Sequence, residues 1–219
     1  MGTMTSRPIM GRLRSALNLG QRSLVNDVAR ELRGCESVLD VGCGTESLLE
    51  QLPRVPRTVG LDAHAPALEA SRRRGVHDEY LQADVAEIAL PAGSFDVVMM
   101  MDLIEHLDHS VGEALLDRME KVARRKVIVF TPNGFVEQGA YDDNPLQVHR
   151  SGWTVDDFRR RGYRVRGAKG WSALREGGSK PRRPTVVTRP LSSISQPLVR
   201  RAPRFAYSLL AVRDVERDR

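Results

Sequence analysis

Val38-Leu39-Asp40-Val41-Gly42-Cys43-Gly44-Thr45-Glu46-Ser47 decides how the rest of this chain is read. Apolar, β-favouring residues enclose an acid, two glycines follow one residue apart, and a polar turn leads into an apolar run from Leu48 to Leu52. The pattern predicts a strand, a sharp turn and the start of a helix. Glycines at such a turn let a ligand come close to the main chain, and the first N–H groups of a helix are unpaired. A nucleoside-type cofactor is the expected occupant.

Downstream, strand and helix patterns alternate. Thr58 to Asp62 reads as a second strand ending in an acid. The helix after it has Pro66 in its first turn and closes on Arg72-Arg73-Arg74-Gly75, a C-terminal signal. Glu79 to Gln82 is a third strand with Asp84 just past its end, and Ser94 to Asp102 is a fourth, apolar almost throughout as a strand buried on both faces should be. Ser110 and Glu113 form a capping-box pattern for a helix through Leu115, Leu116, Met119 and Val122. Lys126 to Phe130 is a fifth strand. Such alternation predicts a parallel sheet covered on both sides, with ligands at the carboxyl ends of its strands. Asp40, Asp62, Asp84 and Asp102 all fall at or near those ends.

Residues 135–153 then form a long connection, the expected substrate loop, which carries Tyr141, Gln147, His149, Arg150 and Trp153. Thr154 with Asp157 caps a further helix, Tyr163 to Val165 is a sixth strand, and Phe205 to Val212 a last buried one. Between these, Gly, Pro and Arg dominate residues 172–204, which read as an exposed basic loop region with a short helix from Leu191 to Val199. Upstream, residues 1–34 form an N-terminal helical segment. Two short amphipathic helices broken at Gly20 fit its apolar spacing, and they are expected to cover the cofactor cleft.

Composition narrows the class. At 219 residues and 41% apolar content the chain supports one sizeable core. No apolar run reaches the roughly 20 residues of a membrane span. Two cysteines, Cys35 and Cys43, support neither a disulfide scaffold nor a zinc site, and no metal is expected. A cytoplasmic protein follows, with peripheral contact to the inner membrane face left open. The charge is uneven: residues 35–158 carry eleven basic and twenty-two acidic residues, whereas residues 159–204 carry fourteen basic residues against Glu176 alone. Thirty of the basic residues are Arg and four are Lys, a bias that a GC-rich bacterial genome produces by itself. The clustering still suits an anionic small molecule, an anionic lipid surface or nucleic acid as a partner. An aromatic content of 5% disfavours a base-stacking platform, so nucleic acid stays open without being preferred.

The acids discriminate between cofactors. A dinucleotide fingerprint wants glycine where this chain has Ser47, and Asp40 directly before the turn would repel a pyrophosphate. A carboxylate there suits a cofactor that carries a positive group. Asp62 is placed to accept from ribose hydroxyls, which serves NAD and an adenosyl cofactor equally, and Asp84 can accept from an adenine amino group. Together these favour S-adenosylmethionine over NAD.

The segments VLDVGCGT (Val38–Thr45), VGLDA (Val59–Ala63), LQADV (Leu81–Val85), FDVVMMMDLIEHL (Phe95–Leu107) and KVIVFTPN (Lys126–Asn133) resemble those of class I S-adenosylmethionine-dependent methyltransferases, especially the small-molecule, type 11 group. The resemblance covers roughly residues 35–135. It implies a Rossmann-like α/β three-layer sandwich whose seven-stranded, mostly parallel sheet has an antiparallel last strand. It also implies Asp40, Gly42 and Gly44 around the methionyl part, Asp62 on the ribose, Asp84 and Val85 framing the adenine, and Met101 near the sulfonium. Glu46 stands where the family often has a third glycine and is expected to narrow the turn.

Methyl transfer needs mainly in-line alignment, and a hydroxyl acceptor benefits from a base. The candidates are His106, which in such families often shapes the cofactor pocket, and His149 in the long loop. Arg150 beside it suits an anionic acceptor group. An O-methyltransferase for a small-molecule or lipid-linked sugar or natural-product acceptor is the leading expectation. A non-catalytic methyltransferase-like binding protein, an RNA-directed methyltransferase and an NAD-dependent oxidoreductase remain open.

Overall fold

The structure is a computed structural model that describes residues 19–140, 144–176 and 180–215. Residues 1–18 of the N-terminal segment and Tyr141 of the loop lie outside them. Helix α1 (Leu19–Glu31) precedes β1 (Ser37–Val41). Then come β2 (Arg57–Asp62), α2 (Ala65–Arg74), β3 (Glu79–Gln82), β4 (Phe95–Met101), α3 (His109–Val122) and β5 (Ala123–Pro132). The last part of the chain holds α4 (Val155–Arg160), β6 (Arg164–Trp171), the two-residue strands β7 (Arg175–Glu176) and β8 (Lys180–Pro181), α5 (Thr185–Arg201) and β9 (Ala206–Asp214).

Seven strands form one sheet in the order β3-β2-β1-β4-β5-β9-β6. The first five run parallel, and β9 enters antiparallel between β5 and β6, pairing Phe130 with Leu210 and Leu210 with Arg166. This is the architecture expected, with one antiparallel strand. All five residues of β1 are buried, because helices cover both faces. On one face Leu39, Val41, Val98 and Met100 pack with Leu115, Leu116 and Met119 of α3 and Phe158 of α4. On the other, Val38, Val97, Met99 and Ile128 pack with Leu24 and Val28 of α1. The strand order reverses between β1 and β4, and a crevice opens there at their carboxyl ends.

Some local expectations need correction. Leu48–Gln51 is a single 3-10 turn, not a longer helix, because Pro53 holds Leu52 extended at ψ 157°. Gly20 stands inside α1 as its second residue. The Ser110–Glu113 box does not form: α3 starts after Asp108, and Glu113 is drawn away to Arg161. The basic region is not mainly loop. It contains the β7–β8 pair and a helix of 17 residues that keeps both Pro190 and Pro197 inside it.

Candidate active site

A cleft of about 640 Å³ opens at the carboxyl ends of β1, β2 and β4, within the range that holds a cofactor-sized ligand. Asp40, Gly42, Gly44, Asp62 and Met101 all line it. Gln21 and Leu24 of α1 lie over it, as expected of a covering helix.

The turn is pinned to β2. The N–H groups of Gly42 and Cys43 both donate to the Leu61 carbonyl, at 2.7 and 3.0 Å. Gly42 has φ +70°, a backbone conformation that calls for glycine, and a Cβ there would also push the end of the Leu103 side chain, 2.7 Å away, aside. Gly44 donates its N–H to Asp62 Oδ2 at 2.8 Å, while Asp62 Oδ1 accepts from His64 N at 2.8 Å. Each Asp62 oxygen keeps a further lone pair for a ligand hydroxyl. Glu46 does not narrow the turn: its side chain is 78% exposed and points to Arg74, 3.7 Å away.

Asp40 is more constrained than its place in the sequence suggests. Its side chain is 2% exposed, and Oδ2 accepts from the Ser47 hydroxyl at 2.5 Å and from His77 Nε2 at 3.0 Å. Ser47 therefore has a structural task of its own: it braces Asp40 and accepts from Leu49 N to cap the 3-10 turn. His77 reaches Asp40 by lying across Gly60, the cross-strand partner of Asp40 in β2. Nothing adjacent in the sequence marked His77. The signal was Gly60, which has no turn to make in the middle of a strand.

Asp84 and Val85 are not part of the cleft lining. Asp84 is exposed and accepts from Ala86 N at 2.8 Å, and Val85 is buried in the core with its carbonyl held by Arg118. Trp153 is likewise no substrate contact. It is 0% exposed, stacks on His109 and donates through Nε1 to the Ile104 carbonyl, anchoring the end of the long loop. Gln147 does reach the cleft, and Arg150 is exposed near Asp108.

His106 and His149 come together although they are far apart in sequence. Their ring centroids lie 4.8 Å apart, edge to face. Nδ1 of His106 donates to the Val148 carbonyl at 3.3 Å, and Nδ1 of His149 to the Val136 carbonyl at 2.5 Å. Those bonds make Nδ1 the donor in each ring, and His106 is also drawn to the Asp102 backbone; neither ring is among the residues that line the cleft. Burial, then the neighbouring His149, lowers the His106 pKa, which favours the neutral ring. Glu105 beside them is 2% exposed and accepts from the Thr131 hydroxyl at 2.9 Å. Burial first, then the charge of Asp102, pushes its pKa up to about 8. One ligand atom from each of Glu105, His106 and His149 lies within 4.8 Å of the others, a spacing that suits a metal ion.

Lys169 was also not foreseen. It lines the cleft from the bulge of β6, with its ammonium 3.8 Å from Asp102 and over the Phe130 ring. Asp102 and Lys169 are the non-glycine residues with positive φ among those described, at 49° and 58°. Local strain is thus stored on both sides of the cleft mouth.

Comparison with known proteins agrees with this geometry. The family profile described as "Methyltransferase domain" matches residues 39–131. The ubiquinone biosynthesis O-methyltransferase of Schizosaccharomyces pombe is 33% identical over 122 residues, 51% of this chain and 43% of that protein. The enzyme of the same name from Escherichia coli O7:K1 is 40% identical over 78 residues, 33% of this chain and 32% of that protein. The chain thus spans less than half the length of these curated relatives. Magnesium protoporphyrin IX methyltransferase from Synechocystis PCC 6803, solved with bound S-adenosylmethionine, superposes with a TM-score of 0.52 at 16% identity, covering 99% of this chain and 86% of that one. The strand order and the glycine turn are thus those of the class I methyltransferase fold, and residues 39–131 within it match a methyltransferase domain.

Proposed function

We propose that this chain transfers the methyl group of S-adenosylmethionine to a hydroxyl of a small-molecule or lipid-linked acceptor. The observation that carries the reading is the His106–His149 pair, whose rings meet edge to face within four residues of the cleft-lining Asp102 and Gln147. S-adenosylmethionine held there would supply an electrophilic methyl group, which an acceptor oxygen would take as the carbon–sulfur bond breaks, its electron pair staying on the sulfur of S-adenosylhomocysteine. The hydroxyl proton passes to Nε2 of His149 or His106. Asp40, Gly42, Gly44, Asp62 and Met101 would hold the cofactor, and Lys169 with Gln147 would meet the acceptor at the cleft mouth. The hydroxyl class is supported by the partial match to O-methyltransferases. Incubation with radiolabelled methyl donor and cell extract tests the reading. A labelled small molecule or lipid is expected, lost in His149→Ala with His106→Ala. Label on RNA, or no cofactor binding by calorimetry, refutes it.

A second reading rests on Glu105, His106 and His149. We propose that they hold a divalent cation, which would take the place of the proton on Glu105 and lower the pKa of an acceptor hydroxyl. Each histidine already gives its other nitrogen to a carbonyl, as metal-ligating histidines do. Calorimetric titration with Mg²⁺, Mn²⁺ and Zn²⁺ tests it. Glu105→Gln should abolish the binding heat, and the absence of heat with all three ions refutes the site.

A further inference from the structure

Helix α5 is amphipathic the wrong way round for a helix covering a sheet. Its inward side is mainly polar: Thr188, Ser192, Ser193 and Gln196 are buried, joined by the apolar Val199. Gln196 receives the Gly170 N–H at 2.9 Å and donates to the Gly167 carbonyl at 3.0 Å, and the Ser192 hydroxyl donates to the Lys169 carbonyl. Gly167 and Gly170 let it sit this close, since Cβ atoms there would lie 2.2 Å from Val199 O and 2.3 Å from Ser192 O. The outward side is apolar. Val186, Val187, Leu191, Ile194 and Leu198 are 45–80% exposed, with Pro190 and Pro197 exposed among them. A solvent-facing helix has the opposite arrangement. Bare apolar surface of this kind marks an interaction site.

The surroundings say what the site takes. Between Glu176 and Asp214 the sequence contains no acid, while Arg183, Arg189, Arg201 and Arg204 are exposed on or beside the helix. Trp171 and Phe205, 46% and 59% exposed, extend the apolar surface to the carboxyl edge of the sheet, where Trp171 pairs with Ala206. Gly170 faces Ser192 and Gly167 faces Val199, so α5 runs antiparallel to β6. Its first two turns therefore reach roughly 10 Å past that edge, on the side where the cleft opens. Apolar stripe, arginine border and rim aromatics are what an interfacial helix presents to an anionic bilayer. A second copy of the chain would set arginines against arginines, and residues 1–18, with Arg7, Arg12 and Arg14 and no acid, carry the same sign. Nucleic acid would use the arginines and leave the apolar stripe bare.

We propose that α5, with Trp171 and Phe205, docks this protein on anionic lipid bilayers. The proposal goes beyond the methyl-transfer reading and stands without it, because it rests on the helix and not on the cleft. In this placement the cleft mouth faces the headgroups, and the stripe lies at the acyl boundary without spanning it.

The test is flotation of the full chain with vesicles of phosphatidylglycerol and phosphatidylcholine in equal parts, and with phosphatidylcholine alone. Co-flotation with the anionic vesicles that falls steeply with salt is expected, and little with the neutral ones. Trp153 is buried, so a blue shift of tryptophan emission on docking would report Trp171, and Trp171→Phe should remove the shift while the protein still floats. Ile194→Asp with Leu198→Asp, at positions 67% and 73% exposed, should abolish flotation but leave calorimetric binding of S-adenosylmethionine unchanged, showing an intact fold. Arg189→Ala and Arg201→Ala should each weaken docking about fivefold. No flotation with anionic vesicles, flotation unaffected by the double aspartate variant, or a dimer in sedimentation that this variant dissolves would each overturn the proposal.

Discussion

Gly60→Ala isolates the buried contact that organises the cofactor turn. Gly60 does not have positive φ, so alanine fits the strand backbone, and by propensity alone the change would stabilise by about 0.5–1 kcal/mol. Sterics oppose this. The new Cβ would lie 2.8 Å from His77 Nδ1, 3.0 Å from His77 Cγ and 3.1 Å from Cys43 Sγ, all in packed interior. Overpacking of this kind costs about 1–3 kcal/mol. The ring cannot move away without lengthening its 3.0 Å bond to Asp40, and losing a hydrogen bond to a buried charged group costs about 1.5–3 kcal/mol more. The net expectation is a loss of about 3 kcal/mol, which in a chain of this size lowers Tm by roughly 6–12 °C. Cofactor affinity should fall as well, because Asp40 lines the cleft. Thermal melts and calorimetry on four proteins form the assay: the parent, Gly60→Ala, His77→Ala and the double variant. Removing the ring relieves most of the clash, so in the His77→Ala background Gly60→Ala should cost little. An equal cost in both backgrounds would refute the reasoning.

Asp27 of α1 has a side chain 4% exposed and receives Arg200 of α5 through two bonds of 2.7 and 2.9 Å, so Asp27→Ala should cost about 3 kcal/mol by stranding the arginine, and it should weaken cofactor binding by loosening α1, read by melts and calorimetry. Burial alone would raise the Glu31 pKa, but the bond from Lys126 and the charges of Arg164 and Arg166 outweigh it and hold the group below 4.5. The stability it adds is complete above that pH and is lost as pH falls through the lowered value. Tm between pH 3 and 6 should therefore have a steeper slope in the parent than in Glu31→Gln. Glu105 has the opposite sign: its folded pKa near 8 against 4.5 means that folding takes up a proton in that window, so stability falls as pH rises from about 4.5 to 8. If a cation binds there, its stabilising effect on Tm should be larger at pH 8 than at pH 5. Gly167→Ala places a Cβ 2.2 Å from the Val199 carbonyl and should cost about 3 kcal/mol, with faster proteolysis of the α5 segment as the readout.

The architecture was legible in the sequence because buried parallel strands are written as apolar runs, and β1, β2, β4 and β5 all carry that pattern. Asp40, Gly42, Gly44, Asp62 and Met101 were legible because each sits at or near a strand end that topology brings to the crevice. His77 and Lys169 were not, since each reaches the site through a tertiary contact with no local pattern: one crosses a glycine in β2, the other stands on a bulge in β6. Whether Asp84 lines the cleft was not legible, because the position of an acid just after a strand does not tell where its side chain turns. The misreading of residues 172–204 has a clear cause. Gly, Pro and Arg density usually means exposed loop, and α5 breaks the usual correlation by burying Ser, Thr and Gln. Its helical period was present throughout, with the apolar residues facing away from the sheet.

The placement of β9 has a consequence for how the protein is made. Among the described residues β6 has no partner in the sheet other than β9, and β9 is synthesised after it. On the ribosome, β1 to β5 with α1 to α3 can close around the cofactor crevice while β6 and α5 still have no edge to join. In that interval an unpaired strand and the apolar stripe of α5 are exposed together, a combination prone to association. The arrival of Ala206–Asp214 fills the gap between β5 and β6 in one event. The topology thus predicts a two-stage maturation, in which the cofactor half is in place before the half that carries α5 locks on.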